Sequence, residues 1–183
     1  ASIALFGGHA YASVRIIGGA RRLHPEDEVH SASRAGRLWV FDLSDPRAPV
    51  QVADVPVSGD TGRIAVTAGR LVVPSVPELL VFDVAHPAEP RLIEAIGDWH
   101  DNDVVVSDGL AFGVDGQAHV EVVDLSSSAA PHAVGRLMLD GRPEEVAAVG
   151  RIAYATIEAY ETRLAIVDAT DPVAMKQIGS FDL

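Results

Sequence analysis

The chain has 183 residues, 48% of them hydrophobic, with 14 basic against 26 acidic side chains and a net charge of −12. Such a balance repels phosphate backbones and anionic bilayers, which excludes nucleic acid as a partner and leaves solubility, or attraction of cations and cationic partners, as the use of the charge. No cysteine is present, so disulfides and thiolate metal sites are unavailable, and no apolar run approaches the ~18 residues of a membrane-spanning helix.

The chain opens at Ala1 directly on a strand, with no leader pattern, as either a processed terminus or a segment of something longer would. IALFGGHAYA around Gly8 predicts two strands joined by a tight turn, and RIIGGARRLHPEDEVHSASRAG then interrupts before a third strand enters WVFDLSDP, residues 39–46. The second unit runs without interruption: strands over 64–67, 71–74, 79–84 and 91–96, Ala68-Gly69 as the first turn, and a corner at Pro87 and Pro90 before the last strand. VVVSDGLAFG around Gly109 and VEVVDLSS at 120–127 open the third unit; VAAVGRIAYA around Gly150 and LAIVDATDP at 164–172 mark the fourth.

Asp42, Asp83, Asp124 and Asp168 are spaced by 41, 41 and 44 residues, the period of stacked supersecondary units. Gly69, Gly109 and Gly150 keep step, whereas Gly8 stands 61 residues before Gly69, so the first unit holds about twenty extra residues. Prolines gather at the corner after each third strand (Pro46, Pro49, Pro87, Pro90, Pro131, Pro172), where a residue without an amide proton ends pairing. Helical spacing is absent. Four-stranded antiparallel units of about 40 residues repeated radially predict an all-β protein, a β-propeller of four consecutive blades of about 41 residues with an insertion in blade one. Blades are expected near 1–57, 58–97, 98–140 and 141–183 of one domain, with the insertion at 15–37. A parallel solenoid is the rival fold, disfavoured by the alternation of two turn types.

The phrases VFDLSDP, VFDVAHP and AIVDATDP, each after an apolar–glycine–apolar stretch, resemble the LVIVD repeat family of bacterial propeller proteins. The third copy departs from the pattern, with Ser126-Ser127-Ser128 in place of the Asp-Pro corner. The resemblance implies the fold and an extracytoplasmic bacterial setting, and it supplies no catalytic residues. Each blade is built from consecutive residues, so no terminal strand remains to zip a ring shut. Closure by packing of blade one on blade four, two chains sharing an eight-blade ring, and a longer propeller all remain open.

In a meandering blade the loops after strands two and four emerge on one side of the disc, the turns after strands one and three on the other. The first side collects the insertion, whose Arg21, Arg22, His24, Glu26, Asp27, Glu28 and His30 carry both signs of charge, as a candidate binding element for a protein partner or small ligand. It also collects the inter-blade connections, with Asp60 and Arg63, Trp99 and its neighbours, and Arg142 as further binding candidates. His100, Asp101, Asp103, Glu144 and Glu145 form a candidate divalent-metal set, calcium through oxygen donors or zinc or manganese if imidazole joins. On that alternative the protein is a metal-dependent hydrolase or lyase working at the channel mouth with His100 as base; the primary reading is a non-catalytic binding or scaffold propeller. The four recurrent aspartates are expected to be structural, because a residue needed once per unit serves the unit.

Overall fold

A computed structural model describes residues 1–16, 35–100, 103–115, 117–126, 130–158 and 161–183. Short β-branched and apolar runs separated by turns that accept positive φ form successive hairpins. Blade one is β1 (Ser2–Phe6), β2 (His9–Ile16), β3 (Ala35–Asp42) and β4 (Val50–Ser58). In blade two, β5 (Asp60–Thr61) and β6 (Ala65–Thr67) both pair with β7 (Arg70–Val76), followed by β8 (Glu78–Asp83) and β9 (Arg91–Ile96). Blade three is β10 (Val104–Ser107), β11 (Leu110–Val114), β12 (His119–Asp124) and β13 (His132–Met138). Blade four is β14 (Arg142–Val149), β15 (Ile152–Glu158), β16 (Arg163–Asp168) and β17 (Lys176–Asp182), with a short 3₁₀ turn over Pro172–Ala174. All neighbouring strands within a blade are antiparallel, giving the expected four consecutive propeller blades. The insertion leaves β2 and returns at β3; its residues 17–34 lie outside the described residues.

The repeat is written in hydrogen bonds. The first hairpins of blades one to three turn through two residues of positive φ: Gly7-Gly8, Ala68-Gly69 and Asp108-Gly109, the mirror-image turn that matches strand twist and favours glycine. In blade four only Gly150 has positive φ, one position earlier in the turn. After each third strand the aspartate side chain accepts the amide two residues on: Ser44 to Asp42 at 2.7 Å, Ala85 to Asp83 at 2.9 Å, Ser126 to Asp124 at 2.8 Å and Thr170 to Asp168 at 2.8 Å. The residue following each aspartate donates its amide back to the first hairpin, Leu43 to Gly8, Val84 to Gly69, Leu125 to Gly109 and Ala169 to Arg151. The recurrent aspartates thus hold one corner per blade. A bulge between strands three and four recurs at the same phase, at Val40/Phe41, Val81/Phe82, Val122/Val123 and Ile166/Val167.

Side chains alternate between two faces of each blade. Tyr11, Leu38 and Val40 of blade one pack on Leu71, Val73, Leu80 and Phe82 of blade two. Val72, Leu79 and Val81 on the other face of blade two meet Val104, Ala111 and Val123 of blade three. Phe112, Val120 and Val122 then meet Val146, Ala153, Ala155, Ala165 and Val167 of blade four. Three inter-blade cores therefore join four blades, and among the described residues no fourth core joins blade four to blade one. Exposed large apolar side chains concentrate in those two blades, with Ile3 65% and Leu5 67% exposed on β1 and Val149 67% on β14. Blades two and three are covered on both faces; among the described residues, blades one and four are each covered on one face only.

A polar pocket between blades two and three

A cavity of about 380 Å³ opens between β9 of blade two and β12 and β13 of blade three, lined in part by Ile96, Trp99, Glu121, Val123, Gly135 and Arg136. Asp98 and Trp99, from the connection that follows the fourth strand of blade two, also line it. Trp99 is 2% exposed. Its ring fills the space above Gly113, where a Cβ would collide with it, and its amide donates to the Pro77 carbonyl at 3.0 Å. The indole Nε1 is buried without a hydrogen-bond partner.

Gly113, Glu121 and Arg136 are cross-strand neighbours on β11, β12 and β13, so their side-chain positions share the face turned to blade two. Arg136 Nε lies 3.1 Å from Glu121 Oε1, and Arg136 Nη2 donates to Asp115 Oδ2 at 2.6 Å. Asp115, 2% exposed, is the anchor of the network. Its Oδ1 accepts the amides of Gln117, Ala118 and His119, and its Oδ2 also accepts His119 Nδ1–H at 2.6 Å.

Burial works to raise the Asp115 carboxyl, but the Ala118 and His119 amides and the Arg136 and His119 side chains outweigh it, and its pKa falls below the ordinary aspartate value. Glu121 goes the other way: burial raises its pKa, with Asp115 adding to the rise and Arg136, His100 and His119 opposing it. Two carboxylates tied to one guanidinium are thereby pushed apart. Asp115 is a fixed anion that positions Arg136 and His119, while Glu121 stands in the pocket wall as an incompletely neutralised acceptor. This arrangement suits a hydrogen-bond donor or a cationic group.

Of the candidates read from sequence, Trp99 alone lines this pocket, and it does so as a packed wall, since its ring is needed to fill the gap over Gly113. His100 donates Nδ1–H to the Asp98 carbonyl at 2.8 Å. Arg63 and Asp103, from successive inter-blade connections, approach to 3.5 Å. Arg142 lies 3.7 Å from Glu158 across a hairpin, and Asp60 pairs with Val76 in the backbone. Glu144 and Glu145 are exposed at an irregularity of β14. Arg21, Arg22, His24, Glu26, Asp27, Glu28, His30 and Asp101 lie outside the described residues. Among the described residues no three histidine, aspartate or glutamate side chains gather to hold a metal ion, so His100, Asp103, Glu144 and Glu145 do not converge as a ligand set.

Asp115, Glu121 and Arg136 escaped the sequence reading. One signal was available: three residues before the repeated aspartate the blades carry Trp39, Leu80, Glu121 and Ala165, so a charge stands where the other units are apolar.

The LVIVD repeat family matches residues 100–138, the strands and connection of blade three. The match falls on the blade whose corner departs from the Asp-Pro pattern, so the strands and their turns carry the repeat. No curated protein matches the chain in sequence. Among solved structures, a protein of unknown function from Desulfotomaculum acetoxidans superposes with a TM-score of 0.66 at 9% identity, over 81% of this chain and 49% of that one. The likeness is one of fold, and the chain spans about half the length of that protein. No helix among the described residues is long and apolar enough to cross a membrane.

Proposed function

We propose that the chain is a non-catalytic binding propeller that presents its loop side to a partner, with the pocket between blades two and three as the point of attachment for a basic group. The supporting observation is Glu121: a carboxylate in a largely apolar wall, pinned by Arg136 and facing a cavity large enough for a side chain or small ligand. The surplus of acidic residues draws a cationic partner toward the molecule. The insertion at 15–37 joins the second and third strands of blade one, the connection equivalent to the 115–119 loop beside the pocket, and on this reading it provides a second grip on the same partner.

A panel of basic, neutral and acidic peptides of equal length, titrated against the purified chain, tests the proposal. Basic peptides are expected to bind, more weakly at higher salt, and to lose binding in Glu121→Gln. Removal of residues 20–32 is expected to weaken binding without abolishing it. Equal binding of all three classes, or basic-peptide binding indifferent to Glu121→Gln, overturns the reading.

A further inference from the structure

The two ends of the four-blade arc carry opposite halves of one interface. At three places the repeat shows what packs on what. Three residues past the turn of each first hairpin come Tyr11, Val72, Phe112 and Tyr154, on the face turned to the following blade. One residue earlier come Ala10, Leu71, Ala111 and Ala153, on the face turned to the preceding blade. The first three members of the leading set are buried in the three cores. The fourth, Tyr154, has no following blade among the described residues. It is joined on its face by Ile152, Leu164 and Ile166, its neighbours in the register of β15 and β16, and by Phe181 opposite Leu164. Blade one shows the converse. Its uncovered face carries Ile3, Leu5, Ala12, Trp39 and Phe41, cross-strand neighbours on β1, β2 and β3.

The residue types are complementary. In the third core Phe112 packs with Ala153 and Ala155; at the ends, Tyr154 is left without such alanines and Ala10 and Ala12 are left without such an aromatic. A face on which Ile3 and Leu5 are exposed and Trp39 and Phe41 half-buried is costly, at about 25 cal/mol for each Å² of apolar surface left in water, and contiguous patches of this kind mark interaction sites. The length comparison agrees: 81% of this chain superposes on 49% of a larger protein of the same fold, so that fold extends over about as much chain again.

We infer that the exposed face of blade four packs on the exposed face of blade one of a second copy, and reciprocally, so that two chains close a single eight-blade ring. The contact joins two different patches, and it recurs twice under a two-fold axis, so the assembly closes instead of growing. This inference does not depend on the pocket between blades two and three.

The experiment is the solution mass of the chain and of two variants, Leu5→Lys on β1 and Val149→Glu on β14. Both positions are 67% exposed in the single chain, so neither change disturbs its folding, which circular dichroism verifies. The unaltered chain is expected at twice its 19.3 kDa mass, independent of concentration over the micromolar range. Each variant alone is expected to fall to the single mass. An equimolar mixture of the two is expected to return to the double mass, because one junction then sets lysine near glutamate and the other is unaltered. A single mass for the unaltered chain, a mass that climbs with concentration as in open polymers, or a double mass unmoved by either substitution overturns the inference.

Discussion

The middle of the arc and its two ends are built from the same repeat and live in different environments. At the junction of blades two and three, apolar rows from both sheets meet, Trp99 fills the gap over Gly113, and Asp115 holds a charged network that closes the loop side. At the ends, rows of the same phase face outward. The difference teaches that the repeat encodes two-sided blades, whereas the number of covered sides depends on neighbours. A residue's position within the unit therefore predicts its direction and does not predict its burial.

The strongest way to break this comparison is to truncate equivalent residues in the two environments. Phe112→Ala, in the third core, is expected to cost about 3–5 kcal/mol, while Tyr154→Ala, at the same phase on the open face, is expected to cost under about 1 kcal/mol in the dissociated chain. Urea unfolding at low protein concentration measures both, and equal losses would mean that the end of blade four is covered. Asp115→Ala removes the buried acceptor of the half-exposed Arg136 guanidinium, of the His119 ring and of three amides, and a loss of about 3 kcal/mol is expected by the same measurement.

The lowered pKa of Asp115 sharpens the contrast through pH. A carboxylate whose folded pKa lies below its unfolded value of about 3.9 stabilises the fold above that value, and the contribution is lost as pH falls through the folded pKa. Unfolding of the chain is thus expected to become easier as the medium is acidified below about pH 4, and Asp115→Asn is expected to flatten this part of the pH–stability curve. Glu121, raised by burial, has the opposite sign and favours the fold most when protonated; because basic peptides need its carboxylate, their binding is expected to fade as pH falls, beginning above the ordinary glutamate range. The smallest effect belongs to the repeated corner. Asp83→Ala removes one exposed amide acceptor and is expected to cost about 1 kcal/mol or less, whichever neighbours flank the blade.

Much of this was legible in the chain. Strands predicted over 64–67, 71–74, 79–84 and 91–96 correspond to β6 through β9, because β-branched runs bounded by glycine turns and proline corners report local geometry directly. The structural role of Asp42, Asp83, Asp124 and Asp168 was readable for the same reason, since each bonds an amide two residues away. The packing of Trp99 was not legible, because its neighbours in sequence are polar while the glycine that receives its ring lies on another strand. Among the described residues no metal-holding group is found; Glu144 and Glu145 belong to β14 of the fourth blade, His100 follows the second, and Asp101 lies outside the described residues.

What the sequence determined by itself was the unit: its period, its four strands, the turn that opens it and the carboxylate that closes its corner, all governed by contacts a few residues long. Only the tertiary structure decided how units use one another, placing Trp99 on Gly113, Arg136 between Asp115 and Glu121, and leaving the outer faces of blades one and four without a partner blade among the described residues. Those outcomes depend on side chains far apart in sequence and on which surfaces lose water when sheets meet, and an alternating apolar pattern is the same whether or not a neighbour arrives to cover it.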